Sequence, residues 1–281
     1  MTQTLNRANG AAAASVGLLW RVIPPGLYGG RASTLVERAA LVNRRAWFVL
    51  IGGAFEPMLF LWSLGLGFGQ FVTSVAGPDG RPVSYAAFVA PALLAASAMN
   101  GAVYDATFNV FFKFKYAKLY DAMLATPMGP LDIAMGEIAW ALLRGGLYSA
   151  GFLCVMLGMG LIASPWALLA LPAALLVAFA FAAAGMAATT FMRSWQDFDL
   201  VQLAVLPMFL FSTTFYPLSV YPGWLRAVVS WTPLYHAVEL MRGLTLGVVG
   251  WGMLGHVAYF AVLAAVGTVV AARRLGSLLL D

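Results

Sequence analysis

Charged residues are scarce in this sequence. Only 10% of its 281 residues are Asp, Glu, Lys or Arg, whereas 62% are hydrophobic. A soluble domain carries about 25% charged residues, so a chain of this composition cannot cover a surface that faces water. We therefore expect the bilayer to be the solvent for most of the chain. The net charge of +5 then gives no reason to expect a nucleic-acid partner.

Reactive and metal-binding residues are also few. The single cysteine, Cys154, excludes an intramolecular disulfide, and its apolar surroundings indicate a small packing residue. The two histidines, His236 and His256, form no metal-binding motif. No GxxxxGK[ST] loop is present to hold the phosphates of ATP, and no nucleophile has an evident base nearby. We therefore predict no catalytic site, metal or cofactor in this chain.

Six apolar stretches predict six transmembrane helices, because a spanning helix needs about 20 mostly apolar residues. They cover about 47–71, 85–110, 133–163, 166–192, 200–215 and 251–272. Of the 16 basic residues, 12 fall on one side of this arrangement and only Arg81, Arg226 and Arg242 on the other. The positive-inside rule then places both termini in the cytosol, as expected for a bacterial inner-membrane protein. Residues 1–30 do not resemble a cleavable signal, and we interpret them as a cytosolic extension.

Two regions do not fit a simple count of spans. Residues 31–46 have apolar positions at helical spacing among basic residues that include Arg38, Arg44 and Arg45. We expect an amphipathic helix on the inner membrane surface, near anionic lipid headgroups; the alternative is a cytosolic helix packed on its own protein. Residues 216–249 are too apolar for a free loop and are interrupted by prolines. We predict a re-entrant helical hairpin there, on the outer side between spans 5 and 6.

The segment between spans 2 and 3 is the most informative part of the sequence. Residues 116–124 predict a short helix, followed by a proline-rich break at 125–130. Asp132 is placed to cap the next helix, which carries Glu137 in its first turns. A short helix that exposes aromatic residues between two spans suits contact with another protein. Its apolar and aromatic face would consist of Tyr116, Leu119, Tyr120 and Met123.

This segment resembles the ABC-2 family of export permeases, particularly the branch with the nodulation-factor and daunorubicin-type exporters. The family pattern is a short coupling helix followed by ATP-x-x-P-x-D-I-x-x-G-E. Here it reads Ala125-Thr126-Pro127, Pro130, Asp132-Ile133 and Gly136-Glu137. Glu56-Pro57 with the glycine-rich run 64–69 is similar to the family's first span, and residues 85–99 are similar to its second.

The resemblance covers about residues 31–275, with a transmembrane domain at 47–275, and it implies the partners of the chain. Two permease subunits, identical or homologous, would form a pathway for an amphipathic substrate such as a lipid-linked saccharide, a glycolipid or a lipophilic drug. Two ABC ATPase subunits would bind ATP and Mg and dock beneath them. The resemblance implies that the ATPase contacts the helix at 31–46 and the coupling segment, whose residues are Tyr116, Leu119, Tyr120, Met123, Thr126, Pro127, Asp132 and Glu137.

Polar side chains inside the predicted spans are costly in lipid and so require an explanation. Glu56 precedes Pro57, and it would contact a substrate or the neighbouring subunit, or bond to backbone groups that the proline frees. In span 2, two pairs are each one turn apart and would line a pathway or hydrogen-bond to other helices; we favour the second interpretation. These pairs are Asn100 with Tyr104 and Asp105 with Asn109.

Charged residues elsewhere suggest ion pairs. Arg144 lies seven residues after Glu137, so the spacing predicts a buried pair or an arginine that extends to the interface. Glu239 and Arg242 are three residues apart and are expected to pair near His236. An aromatic cluster is predicted at the outer face, either to anchor the chain at the interface or to guide a substrate outward. Its members are Phe215, Tyr216, Tyr221, Trp224, Trp231 and Tyr235.

Two other functional classes are the alternatives. An ion-coupled secondary transporter of a small amphipathic molecule would show repeated halves and ionisable residues near the bilayer midplane. The sequence shows no convincing repeat, and its ionisable residues lie mainly near span ends. An intramembrane enzyme or a scaffold is disfavoured because no catalytic pair is evident.

Overall fold

A computed structural model describes residues 31–43, 47–72 and 74–279. The N-terminal extension, together with Arg44 and Arg45, lies outside these residues. The prediction of an all-α fold is confirmed. The single strand pairing in the described ranges is a short antiparallel hairpin of β1 (Val75–Ala76) and β2 (Pro82–Val83), which connects the first two long helices.

The described helices follow the chain in a simple order. The first half contains α1 (Ala32–Asn43), α2 (Trp47–Leu66), α3 (Phe68–Phe71), α4 (Tyr85–Tyr104), α5 (Leu119–Leu124) and α6 (Pro130–Gly158). The second half contains α7 (Ala170–Thr189), α8 (Asp197–Phe211), α9 (Gly223–Trp231), α10 (Pro233–Leu246) and α11 (Gly252–Leu279). Two 3₁₀ turns, Pro165–Leu169 and Leu218–Val220, precede α7 and α9.

Four helical segments of the described chain are long and apolar enough to cross a membrane. They are Tyr85–Tyr116, Pro130–Gly158, Pro165–Thr189 and Gly252–Leu279, and they correspond to predicted spans 2, 3, 4 and 6. Predicted spans 1 and 5 correspond to α2, of 20 residues, and α8, of 15 residues. At about 1.5 Å per residue, α8 rises only about 22 Å, less than the hydrocarbon thickness of about 30 Å. The count of six spans therefore stays a prediction.

The second span is longer than predicted. Beyond α4 the chain stays helical through two π turns, Asp105–Asn109 and Phe112–Tyr116, instead of ending near residue 110. The first π turn directs Asp105 into the protein, where it is only 5% exposed. The helix can continue past the apolar region because Lys113, near its end, finds a carboxylate partner in Glu137.

Small residues bring the long helices close together. Alanines along α4, such as Ala95, Ala98 and Ala102, are fully buried against α6, α7 and α10. Helix α11 crosses α7 at Gly267, where an added Cβ would lie 2.8 Å from the backbone carbonyl carbon of Ala183. Lipid tails provide no hydrophobic force between helices, so this close packing is what stabilises their association.

Two short helices occupy the region predicted as a re-entrant hairpin. Helix α9 ends at Trp231, and α10 begins at Pro233, whose missing N–H suits the first turn of a helix. Helix α10 packs on α4, and Leu234, Ala237 and Met241 are fully buried. The two helices are therefore present, and their position relative to the bilayer stays a prediction.

Candidate functional site: a polar cavity beside α4

A cavity with a volume of about 780 Å³ lies between α2, α4 and α8, with α6 at its base. Its lining includes apolar residues such as Phe60, Val205 and Phe209. The polar lining residues, which we call the polar wall, are Glu56, Ser97, Asn100, Tyr104, Thr107, Arg144, Tyr148 and Gln202. The cavity therefore offers both apolar and polar contacts, as an amphipathic molecule requires.

An ion pair forms the base of the polar wall. Nη1 of Arg144 lies 2.7 Å from Oδ1 of Asp105, and its Nη2 donates to the Tyr148 hydroxyl at 3.0 Å. The Asn109 amide also donates to Oδ1 of Asp105. The second carboxylate oxygen and the Arg144 Nε have no hydrogen-bond partner in the described residues.

The predicted pairing of Arg144 with Glu137 is wrong. Seven residues separate them by about 10 Å along α6, and each has a nearer partner from the α4 segment. Glu137 accepts from the Lys113 ammonium at 2.6 Å, and Arg144 binds Asp105. Both pairs join α6 to the long α4 segment, and of these four residues Arg144 lines the cavity.

Some of the polar residues in predicted spans 1 and 2 fit the interpretation as a pathway lining, and others fit the interpretation as hydrogen-bonded structural residues. Glu56, Asn100 and Tyr104 line the cavity, as a pathway requires. No hydrogen bond joins the Glu56 carboxylate to the described residues, which gives no support to the alternative of a bond to the backbone. Asp105 instead binds Arg144 of α6, as a hydrogen bond between helices requires, whereas Asn109 bonds to Asp105 within its own helical segment. Whether any of them contacts a substrate stays a prediction.

Sequence reasoning missed an aromatic group at one end of the cavity. Phe108 stacks on Tyr104 with ring centroids 5.0 Å apart and contacts Trp195 and Phe198 at 4.7 and 5.2 Å. Phe108 and Phe198 also line the cavity. The available signal was the short sequence separation of Trp195, in the loop after Arg193, and Phe198, in the first turn of α8, but their contact with Phe108 depends on packing.

The coupling segment differs from the predicted helix. Helix α5 begins only at Leu119, after Lys118 with its left-handed backbone (φ 48°), so Tyr116 belongs to the preceding π turn. Tyr116 is 59% exposed, whereas Tyr120 is fully buried and Met123 is buried. The predicted exposed face is therefore wrong for these two residues, because the short helix turns them toward the core. Burial, with the Glu137 carboxylate nearby, raises the pKa of Tyr120 well above its usual range, so this phenol is neutral.

The loop after α5 is tied to α1. Asp132 caps α6 as predicted, because its Oδ2 accepts from the Gly129 N–H at 2.8 Å. Its Oδ1 accepts from the Arg31 N–H, also at 2.8 Å, and the Arg31 side chain donates to the Pro127 carbonyl at 3.3 Å. The Thr126 hydroxyl bonds to the Met123 carbonyl, which closes the turn. Thr126 and Pro127 are exposed, so this loop is open to a partner.

Helix α1 packs on α6 at a glycine. A Cβ on Gly136 would lie 2.6 Å from the Leu35 Cβ, and Leu35 is buried there. Arg38, Leu41 and Val42 of α1 are exposed, the last two at 65% and 67%. Helix α1 thus packs on its own protein and also leaves apolar residues exposed, as an interfacial helix needs.

The predicted outer aromatic residues do not form one cluster, because no ring contact in the described chain joins any two of the six. Phe215 and Tyr221 pack instead on Phe209 and Phe211 of α8, respectively. Tyr216, Trp224 and Trp231 are exposed, the two tryptophans at 70% and 79%. Tyr235 instead contacts the ring of His236. Separate exposed tryptophans are typical of residues that anchor a chain at the membrane interface.

The predicted Glu239–Arg242 pair is confirmed, at 3.0 Å. Arg242 is only 2% exposed and also donates to the Thr213 carbonyl at 2.8 Å, so it joins α10 to the turn after α8. Sequence reasoning did not find the contact between His236 and His256, whose Nδ1 atoms lie 2.7 Å apart. Twenty residues separate the two histidines, and only the packing of α10 on α11 brings them together.

Comparison with known proteins decides the family. The sequence pattern of the family described as "ABC-2 type transporter" matches residues 31–246, which is most of the chain. The chain belongs to the ABC-2 type transporter family. The match includes the coupling segment, and it ends at the C-terminus of α10, before α11.

Curated relatives support this assignment. The chain is 32% identical to nodulation protein J of Rhizobium leguminosarum bv. trifolii, over 75% of this chain and 77% of the relative. It is 32% identical to nodulation protein J of Sinorhizobium fredii, over 76% and 80% of the two chains. It is 30% identical to that of Neorhizobium galegae, over 78% and 87%.

Family membership carries several consequences. The chain is a multi-pass membrane protein and the transmembrane subunit of an ABC exporter. Such a subunit performs transport, which is consistent with the prediction that this chain has no catalytic site. Membership also implies association with an ABC ATPase and a second permease subunit.

Proposed function

We propose that two copies of this permease, or one copy and a close homologue, form the pathway by which an amphipathic molecule leaves the cytoplasm, driven by two ATPase subunits. The substrate would be a lipid-linked saccharide, a glycolipid or a lipophilic drug. The chain would lie in the bacterial inner membrane with both termini in the cytosol. The cavity beside α4 carries this proposal, because it combines apolar and polar lining residues in one space of about 780 Å³.

The exposure of α8 supports a second permease subunit. None of its residues is buried, and Leu200 and Leu203 are 65% and 69% exposed. Helix α8 also borders the cavity through Val201, Gln202 and Val205. A helix with few contacts in its own chain that borders a polar cavity is suited to packing against another subunit, which would close the cavity from lipid.

The coupling segment supports a route for the ATPase movement. The exposed loop at Thr126 and Pro127 connects directly to α6 through the Asp132 cap, and to α1 through Arg31. Glu137 and Arg144 then join α6 to the α4 segment, and Arg144 lines the cavity. A displacement of the loop would therefore reach the polar wall through α6 and these ion pairs. Tyr116, exposed in the last π turn of the α4 segment, would add to the ATPase contact.

Cysteine labelling tests the pathway. In a Cys154→Ala background, Asn100→Cys should react with a water-soluble thiol reagent in membranes that contain the ATPase partner. Trapping the ATPase with vanadate should change that rate severalfold, because the cavity changes its opening. Val262→Cys, 63% exposed on α11 and away from the cavity, is the matched control and should stay unreactive in both states. A labelling rate of Asn100→Cys that is as low as that of the control, or that does not change with vanadate, would contradict the proposal.

A second labelling experiment tests the orientation. Single cysteines at Asp79, in the β hairpin, and at Gly223, at the start of α9, should react with an impermeant reagent in intact cells. Labelling of position 79 only after the cells are opened would reverse the proposed topology.

A further inference from the structure

A second, smaller cavity lies apart from the proposed pathway, where α1 crosses α6. Its volume is about 130 Å³, and it is bordered by Arg38 and Val42 of α1, by Glu137 and Trp140 of α6, and by Lys113. It lies beside Gly136, on which α1 is seated, and reaches Trp140 one turn further along α6. The cavity is thus a wedge between a surface helix and a spanning helix.

The wedge has a net positive charge. Glu137 neutralises one of its two basic residues, because the Lys113 ammonium lies 2.6 Å from the Glu137 carboxylate. Arg38 has no ion-pair partner in the described part of the chain, and it is exposed. One positive charge therefore stays available, and a guanidinium can donate two parallel hydrogen bonds to a phosphate.

An apolar ridge leads away from this charge along α6. Trp140, Leu143 and Leu147 are spaced by three and four residues and so share one helix face. Leu143 and Leu147 are 52% and 55% exposed, and Trp140 is half-buried at the edge of the wedge. A tryptophan between a basic group and an apolar ridge is typical of the boundary between lipid headgroups and acyl chains.

We propose that this wedge binds one anionic phospholipid from the inner leaflet, with its phosphate at Arg38 and an acyl chain along the Trp140–Leu147 ridge. The charge favours a lipid with a net negative headgroup over a zwitterionic one, because only one cation is free. The ridge favours a lipid over free phosphate, which would gain nothing from the tryptophan and the leucines. The bound lipid would fill the space between α1 and α6. This site does not depend on the direction of transport or on the identity of the substrate.

Native mass spectrometry of the purified chain tests the site. Phosphatidylglycerol should be retained about fivefold more than phosphatidylcholine with the same acyl chains, as expected for one basic side chain near a membrane surface. Arg38→Gln should remove this preference. Arg273→Gln changes an exposed arginine of α11 outside the wedge and should keep it. Equal retention of the two lipids by the unaltered chain, or equal effects of the two variants, would overturn the proposal.

The ridge and the source of the phosphate are tested separately. Leu143→Asn should weaken phosphatidylglycerol retention severalfold, whereas Leu168→Asn, at an 82% exposed position before α7, should not. Millimolar inorganic phosphate should fail to displace the lipid. Displacement by phosphate, or an unchanged Leu143→Asn variant, would show a simple anion site and would overturn the assignment to a lipid.

Discussion

The Arg144–Asp105 pair provides a sharp test of the polar wall. In the Arg144→Gln variant, the Asp105 carboxylate keeps its hydrogen bond from the Asn109 amide but loses the positive charge of the guanidinium. The Asp105 side chain is only 5% exposed, so its negative charge would then be buried without a counter-charge. Removing one partner of a buried ion pair costs about 3–5 kcal/mol. The Arg144 side chain is 18% exposed and lines the cavity, so we expect the lower end, about 3 kcal/mol. This corresponds to a change of about 100-fold in the folding equilibrium.

The second partner completes a double-mutant cycle. Asp105→Asn removes the buried charge itself, so adding Arg144→Gln to it should cost less than Arg144→Gln alone. We expect the double variant to be destabilised by at least about 1 kcal/mol less than the sum of the two single variants. A coupling energy of this size is expected for residues in direct contact. The measurement is unfolding of the purified chain in mixed detergent and SDS micelles, followed by the loss of helical circular dichroism.

An exposed pair of the same type provides the control. Arg81 lies 3.3 Å from Asp79 in the β hairpin and is 85% exposed. Arg81→Gln should therefore change stability by less than about 1 kcal/mol. The reasoning fails if Arg144→Gln is no more destabilising than Arg81→Gln, or if the costs of the two substitutions at the buried pair simply add.

Two glycine positions give further predictions. Gly267→Ala should destabilise the chain by about 1–3 kcal/mol in the same SDS titration, because the new methyl group meets the α7 backbone. Gly255→Ala is the control on the same helix and should not destabilise it, because its added Cβ has no neighbour within 4 Å. Equal effects of the two substitutions would contradict the proposed crossing of α11 and α7. Gly136→Ala should displace α1 through Leu35 and so speed tryptic cleavage within α1 severalfold. Gly158→Ala meets nothing within 4 Å and is its control, and unchanged cleavage in Gly136→Ala would refute the docking.

The parts that the sequence predicted are those set by local spacing. The Asp132 cap and the Glu239–Arg242 pair each join groups three residues apart, so helix geometry alone indicates them. The long apolar segments were predictable for the same reason, because the length and composition of one segment decide them.

The remaining contacts depend on packing between distant segments. Asp105 and Arg144 are 39 residues apart, and the π turn that directs Asp105 inward has no evident signal in the sequence. The burial of Tyr120 also escaped prediction, because six residues of helix show an apolar face without showing what covers it. The cavity exists because α8 is separated from α4 by the space between them, and this separation depends on how the helices pack together.

The most direct test of the central claim is purification of the tagged chain together with its ATPase. We expect a complex that hydrolyses ATP, and we expect Tyr116→Asp to lose the ATPase while the chain stays in the membrane. Tyr216→Asp is the matched control, because Tyr216 is 54% exposed on the predicted outer side, against 59% for Tyr116. Transport by the purified chain in liposomes without any ATPase would contradict the account.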